Sequence, residues 1–133
     1  MGSDEMMVID THIFLWYVLD DPKLEKTLRN QIRDNAEEVV LSSISIWEAI
    51  LLAERGRIQV QGNPAKAITG YAGLCGFRQA AVTTEIVALS RSLPFEHDDP
   101  ADRFIAATAH SMALPLATAD SRLRDLLWLR LAS

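Results

Sequence analysis

Cysteine is almost missing from this chain: Cys75 stands alone. One thiol excludes an intramolecular disulfide and fits a reducing cytoplasm. No activating group is legible beside it, so a thiol nucleophile is not expected. No apolar run reaches the ~18 residues of a membrane span, and no secretory signal is legible. A Gly-rich phosphate loop is also lacking. Positive charge is in short supply, with 13 Lys and Arg against 18 Asp and Glu and a net charge of −5. Such a chain is not built to coat nucleic acid by counterion release. It can still cut nucleic acid if bound cations offset a local acidic cluster.

What is there is enough for one domain, expected over residues 6–133. At 133 residues, folding buries roughly two-thirds of the unfolded surface, so a core needs no staples. Met1, Gly2 and Ser3 read as an appended start, and residues 1–5 as appended or disordered. Met6 to Ile9 is a short apolar run that predicts a buried strand ending on Asp10. Thr11 to Leu19 is almost wholly apolar. It predicts a helix, because a strand from Met6 to Leu19 would be too long. A helix apolar all round is expected to face a partner subunit in part. Asp21-Pro22 then predicts an amphipathic helix to about Asp34, with Leu24, Leu28 and Ile32 on one face.

Val39 to Leu41 predicts the second strand, and Ser42 and Ser43 cap a helix over 44–54. Asn63-Pro64 opens another helix to about Leu74, weakened by Gly70 and Gly73. Phe77 to Val82 predicts a third strand, and Thr83 begins a helix to about Ser92. Asp99-Pro100 is a cap followed by Pro at the first helical position; that helix runs to about Met112. Leu116 to Thr118 predicts a fourth strand, Asp120 caps a last short helix, and Leu127 to Leu131 predicts a fifth, edge strand. Alternating strands and helices imply an α/β fold around a parallel sheet.

Acids recur at the element boundaries. Asp10 ends the first strand, Glu48 lies one turn into the helix after the second, and Asp120 follows the fourth. All three fall near the carboxyl edge of a parallel sheet, where ligands bind in such folds. Asp102 opens a helix that leads into a strand, and its place at that edge is left open by the chain order. Each acid also has a plain structural role, Asp10 as a strand-end turn residue and the others at helix starts. Ser45-x-x-Glu48 matches a capping box, Asp102 suits a helix dipole, and Asp120 and Asp99 are good caps. Four carboxylates brought together would repel by a few kcal/mol per pair at an effective dielectric of ~20. Protonation or bound Mg²⁺ or Mn²⁺ would relieve them.

Thr11, Ser43, Thr118 and Ser121 sit beside these acids and could orient them, as could Asp98 and Asp99. Arg103 could pair with an acid or contact phosphate. His12, His97 and His110 have no metal-ligand spacing. Trp16, Trp47 and Trp128 read as core or interface. The apolar stretch from Ile13 to Leu19 and the helix near Trp47 are candidates for a dimer seam.

VIDTHIFLW at 8–16, SSISIWEA at 42–49, DPADRFIAATA at 99–109 and LATAD at 116–120 resemble the PIN domain family. The nearest likeness is to the VapC-type toxins of bacterial toxin–antitoxin pairs. The resemblance spans nearly the whole chain in the right order. It implies a three-layer α/β/α sandwich with a four- to five-stranded parallel sheet. It also implies that Asp10, Glu48, Asp102 and Asp120 form one acidic quartet holding Mg²⁺ or Mn²⁺, so that Asp102 joins the other three. The implied activity is cytoplasmic endoribonuclease cleavage of RNA by metal-activated water, leaving 5′-phosphate and 3′-hydroxyl ends. The implied partners are a second copy of the chain and a small VapB-type antitoxin that covers the acidic groove.

Other readings compete. A dehalogenase-type phosphoacceptor wants an Asp two residues after Asp10, where His12 stands. A receiver-type domain wants an acidic pair after the first strand and a late Lys, and no Lys follows Lys66. A non-catalytic binding module and a metal-dependent phosphodiesterase acting on DNA remain open from the residues alone.

Overall fold

The computed structural model describes residues 5–95 and 98–132. Residues 1–4 of the start expected to be appended or disordered (1–5), and His97, lie outside them. Strands β1 (Met7–Ile9), β2 (Val39–Ser42), β3 (Arg78–Ala80) and β4 (Leu116–Ala117) form one sheet in the order β3-β2-β1-β4. Every pairing is parallel, with Val8 opposite Val40 and Leu116, and Leu41 opposite Gln79. Helices α1 (Thr11–Val18), α2 (Lys26–Asp34), α3 (Ser43–Glu54), α4 (Pro64–Cys75), α5 (Thr84–Ser92), α6 (Pro100–Met112) and α7 (Ser121–Arg124) connect and follow the strands.

The period-two alternation of the strands sorts their side chains into two cores. Met7, Ile9, Val39 and Leu41 pack with Ile13 and Phe14 of α1, Ile32 of α2, Ala49 of α3 and Ile68 of α4. Val8, Val40 and Leu116 turn the other way, onto Ile105, Ala106 and Ala109 of α6 and Leu123 of α7. Helices thus cover both faces, and the sandwich has the three expected layers. Burial of both faces explains why β1 and β2 are unbroken apolar runs. Among the described residues no helix is long and apolar enough to cross a membrane.

Three local expectations give way. The second helix begins at Lys26, not at Asp21-Pro22. Asp20 adopts φ 54° and turns the chain. Asp21 then spends its backbone carbonyl on the amide of Leu24, and on Arg29 Nη2 at 2.7 Å. The fifth strand shrinks to a single parallel bridge between Leu131 and Leu116. Turn-like bonds from Leu126 N to Leu123 O and from Leu129 N to Leu126 O coil the preceding segment. The Ser45–Glu48 capping box does not form: Ser42 caps α3, accepting from Ile44 N at 3.2 Å, and the Ser45 hydroxyl is buried without a partner.

The α1 helix is less enclosed than its composition implies. Ile13, Phe14 and Leu15 are buried, whereas Trp16 to Leu19 are half-buried and His12 is exposed. Helix α4 tolerates Gly70 and Gly73 because its ends are well made. Asn63 accepts from Lys66 N at 3.0 Å, Pro64 occupies the first turn, and Gly76 closes the helix at φ 76°. Asn63→Ala is expected to cost about 1 kcal/mol, the usual worth of such a cap. Urea denaturation measures this, and an unchanged midpoint would remove the cap from the account of α4.

Candidate active site

Three of the acids, Asp10, Asp99 and Asp120, arrive by the same local device, a carboxylate that caps the helix it precedes. Asp10 follows β1 directly, and its Oδ1 accepts from Ile13 N at 2.9 Å at the start of α1. Asp120 follows β4, and its Oδ1 accepts from Arg122 N at 2.8 Å at the start of α7. Asp99 caps α6 as expected, accepting from the amides of Ala101 at 3.1 Å and Asp102 at 3.3 Å. Glu48 sits in the second turn of α3, after β2. Each helix dipole directs its positive end at this edge, which favours the charged forms.

Asp102, which chain order left open, reaches the edge by a tight return. Helix α6 closes at Ala113 (φ 55°), where Leu114 N donates to Ala109 O at 2.9 Å. After Pro115 the chain enters β4. Strand β4 therefore runs back along α6, and the first turn of α6 lies beside the strand's carboxyl end.

Charge records the convergence. Burial, then Asp99, Asp120, Glu48 and Asp10 in that order, push the Asp102 carboxyl up to about 8. Burial also raises Asp10, opposed by the neighbouring Thr118 hydroxyl. Burial raises Glu48 as well, with the charges of Asp99 and Asp10 adding to the rise. The Thr11 hydroxyl lies near enough to Glu48 to oppose that rise, yet it makes no well-formed hydrogen bond and is buried without a partner. Of the four acids, Asp120 is the one lowered, chiefly by its hydrogen bond from Arg122.

Arg122 was not singled out by the sequence reading, and it lies inside the cluster. Its Nη2 is 3.0 Å from Asp120 Oδ2 and 3.4 Å from Asp102 Oδ2, and its Nε is 3.3 Å from Asp120 Oδ1. The spacing Asp120-x-Arg122 at a helix start was the available signal. It is weak, because the contact depends on a long side chain folding back across the turn.

The supporting residues divide. Thr118 Oγ1 accepts from Asp120 N at 3.0 Å and so orients that acid. Thr11 is buried beside Asp10. Ser43 and Ser121 are exposed at the first positions of α3 and α7. Arg103 is buried; its Nε donates to Ser90 O at 2.9 Å, its guanidinium lies 4.5 Å from the Phe95 ring centre, and Nη1 stands 3.5 Å from Asp98. This placement favours the ion-pairing, structural alternative for Arg103 over a phosphate contact. His110 lies edge-on to Trp128, whose Nε1 donates to Pro94 O at 3.0 Å, while Trp47 is exposed.

The donor set suits a hard divalent cation. Asp10, Glu48, Asp102 and Asp120 offer only carboxylate oxygens, the chemistry of Mg²⁺ and Mn²⁺ sites. Burial and then the acidic neighbours raise Asp102 to about 8, so a cation there would favour its charged form, and the unpartnered Thr11 hydroxyl adds an unused oxygen. Among the described residues no three of the His, Cys, Asp and Glu side chains stand close enough to share an ion. Two of the quartet are instead turned to Arg122.

Comparison with known proteins agrees with this architecture. The PIN domain family matches residues 7–128. Ribonuclease VapC22 of Mycobacterium tuberculosis is 31% identical over 120 residues, which cover 90% of each chain. The DNA-bound VapBC of Salmonella typhimurium superposes with a TM-score of 0.70 at 18% identity, covering 96% of this chain and 97% of that one. A toxin–antitoxin complex from Klebsiella pneumoniae gives 0.63 at 17% identity, covering 91% and 92%. At these identities the two structures speak to the fold. The family match over most of the chain, together with a relative above 30% identity, shows that this chain belongs to the PIN domain family and is of the VapC type.

Proposed function

We propose that this chain is a Mg²⁺- or Mn²⁺-dependent endoribonuclease, the toxin of a toxin–antitoxin pair, with Asp10, Glu48, Asp102 and Asp120 as its catalytic metal ligands. The observation that carries the proposal is geometric: Asp102 of α6 and Asp120 after β4 share one guanidinium, at 3.4 and 3.0 Å, and the charges of Glu48 and Asp10 also reach Asp102. When bound, the metal supplies Lewis acidity at the scissile phosphate and a water acidic enough to attack it. The residues of the chain supply the rest. Asp10 and Asp120 are fixed by the amides that they cap. Thr118 holds the Asp120 backbone, and Thr11 and Asp99 stand beside the ligands in supporting roles.

RNA is favoured as the substrate by the likeness to a ribonuclease. A cavity of about 550 Å³ shares Thr118 with the acidic site and carries Lys23 and Arg124, cations suited to a flanking phosphate. Trp16 on its wall offers a face for an unpaired base. The products expected are 5′-phosphate and 3′-hydroxyl ends. The reading includes a homodimer in the cytoplasm and a small VapB-type antitoxin that neutralises the acids, a cationic segment being suited to that task.

Cleavage of a panel of RNAs, with and without Mg²⁺, tests the proposal. Cleavage should require the metal, vanish in EDTA, and be lost in Asp10→Asn. Undiminished cutting in EDTA would sink the metal quartet. Cutting of DNA but not RNA would move the chain to the phosphodiesterase reading. No cutting of either would favour a binding module.

A further inference from the structure

Arg122 has no role in the reaction described so far, yet its guanidinium stands where a cation would bind. It bridges Asp120 at 3.0 Å and Asp102 at 3.4 Å, two acids from different elements of the fold. The side chain is about half exposed (53%), so it can leave the cluster for water at little desolvation cost. Its backbone amide is a separate matter, since that amide caps onto Asp120 Oδ1 at 2.8 Å whatever the side chain does. Asp120 therefore stays placed when the guanidinium departs. A monovalent cation on a flexible stem is a weak rival to a divalent ion for oxygen ligands, but it is tethered and always present.

We infer that Arg122 is a built-in competitor for the metal: its guanidinium holds Asp102 and Asp120 together without metal, and a divalent cation must displace it to bind. The inference rests on the metal reading of the quartet. It makes Arg122 a positioning residue, acting through the two carboxylates and setting the concentration of free metal at which the site fills. Two charges of one sign that share a pair of carboxylates repel, so metal binding and the Arg122 contacts oppose each other.

The test is Mn²⁺ binding to the full chain without RNA, followed by calorimetry, with circular dichroism as a check on folding. Arg122→Ala and Arg122→Gln should bind Mn²⁺ about tenfold more tightly than the wild type, whereas Arg122→Lys, which keeps a tethered cation, should stay close to it. A purely structural loss would loosen the site and weaken binding, the opposite direction. Equal affinities in wild type, Ala and Gln forms, or weaker binding in the last two, would overturn the inference and leave the metal site standing. Failure of every form to bind Mn²⁺ would overturn both the inference and the metal reading.

Discussion

Asp102→Asn is expected to lower metal-dependent RNA cleavage by about a thousandfold and, at the same time, to make the metal-free protein more stable at pH 9. The first effect follows from removing one charged ligand of a cation whose stabilisation of developing charge is worth several kcal/mol, each 1.36 kcal/mol being tenfold in rate. The second follows from electrostatics without metal. The Asp102 carboxyl sits near 8 because burial and then Asp99, Asp120, Glu48 and Asp10 oppose its charge. Above that pH the fold carries a carboxylate it disfavours, and an amide of the same shape removes it. The full shift overstates the gain because solvent reaches part of the site; about 1–2 kcal/mol is expected. Single-turnover cleavage measures the first effect, and urea denaturation in EDTA at pH 9 measures the second. Full activity would remove Asp102 from the ligand set, and a destabilised variant would contradict its electrostatic account.

The metal-free protein should lose stability as pH rises from about 5.5 to 9. Asp102, Asp10 and Glu48 all have raised carboxyls. Above the unfolded value near 4, the native state therefore holds more protons than the unfolded chain. Unfolding then releases protons, and stability falls with pH until the native carboxyls have ionised, for Asp102 near 8. Asp120 has the opposite sign, being lowered by Arg122. Its contribution is present above the unfolded value and is lost only in stronger acid, so it does not cancel the decline. A fall of about 1–3 kcal/mol is expected, most of it from Asp102 and discounted for partial exposure. Thermal unfolding in EDTA at pH 5.5, 7 and 9 measures it. Saturating Mn²⁺ should flatten the profile, because the metal takes the ionised form and displaces the proton. Stability that rises through this range in EDTA would contradict the electrostatics of the site.

Much of this was legible in the residues because single positions serve two ends. Asp99 and Asp120 announced helix starts, and the helices begin after them; Asp10 read as a strand end and also caps α1. Strands β1 and β2 were readable as buried because both of their faces are apolar. The missed features depend on long-range or rotameric facts. Asp102 joins the site through the return of β4 along α6, and chain order alone did not supply that sense. Arg122 enters through a side-chain fold across a turn. The second helix starts late because a positive φ at Asp20 commits Asp21 to a turn. In the segment after α7, Leu126 and Leu129 are buried while Leu127 is exposed. That is a three-residue period that composition had disguised as a strand.

The capping acids also decide what a mutational scan of this protein can report. At positions 10 and 120 an alanine would remove a helix cap together with a proposed ligand, so a lost signal would confound folding with chemistry. Asparagine keeps an acceptor oxygen for the Ile13 and Arg122 amides and deletes only the charge. Alanine libraries will thus score these positions by abundance of folded protein, amide libraries by turnover. The difference between the two scans separates the acids that build the site from those that operate it.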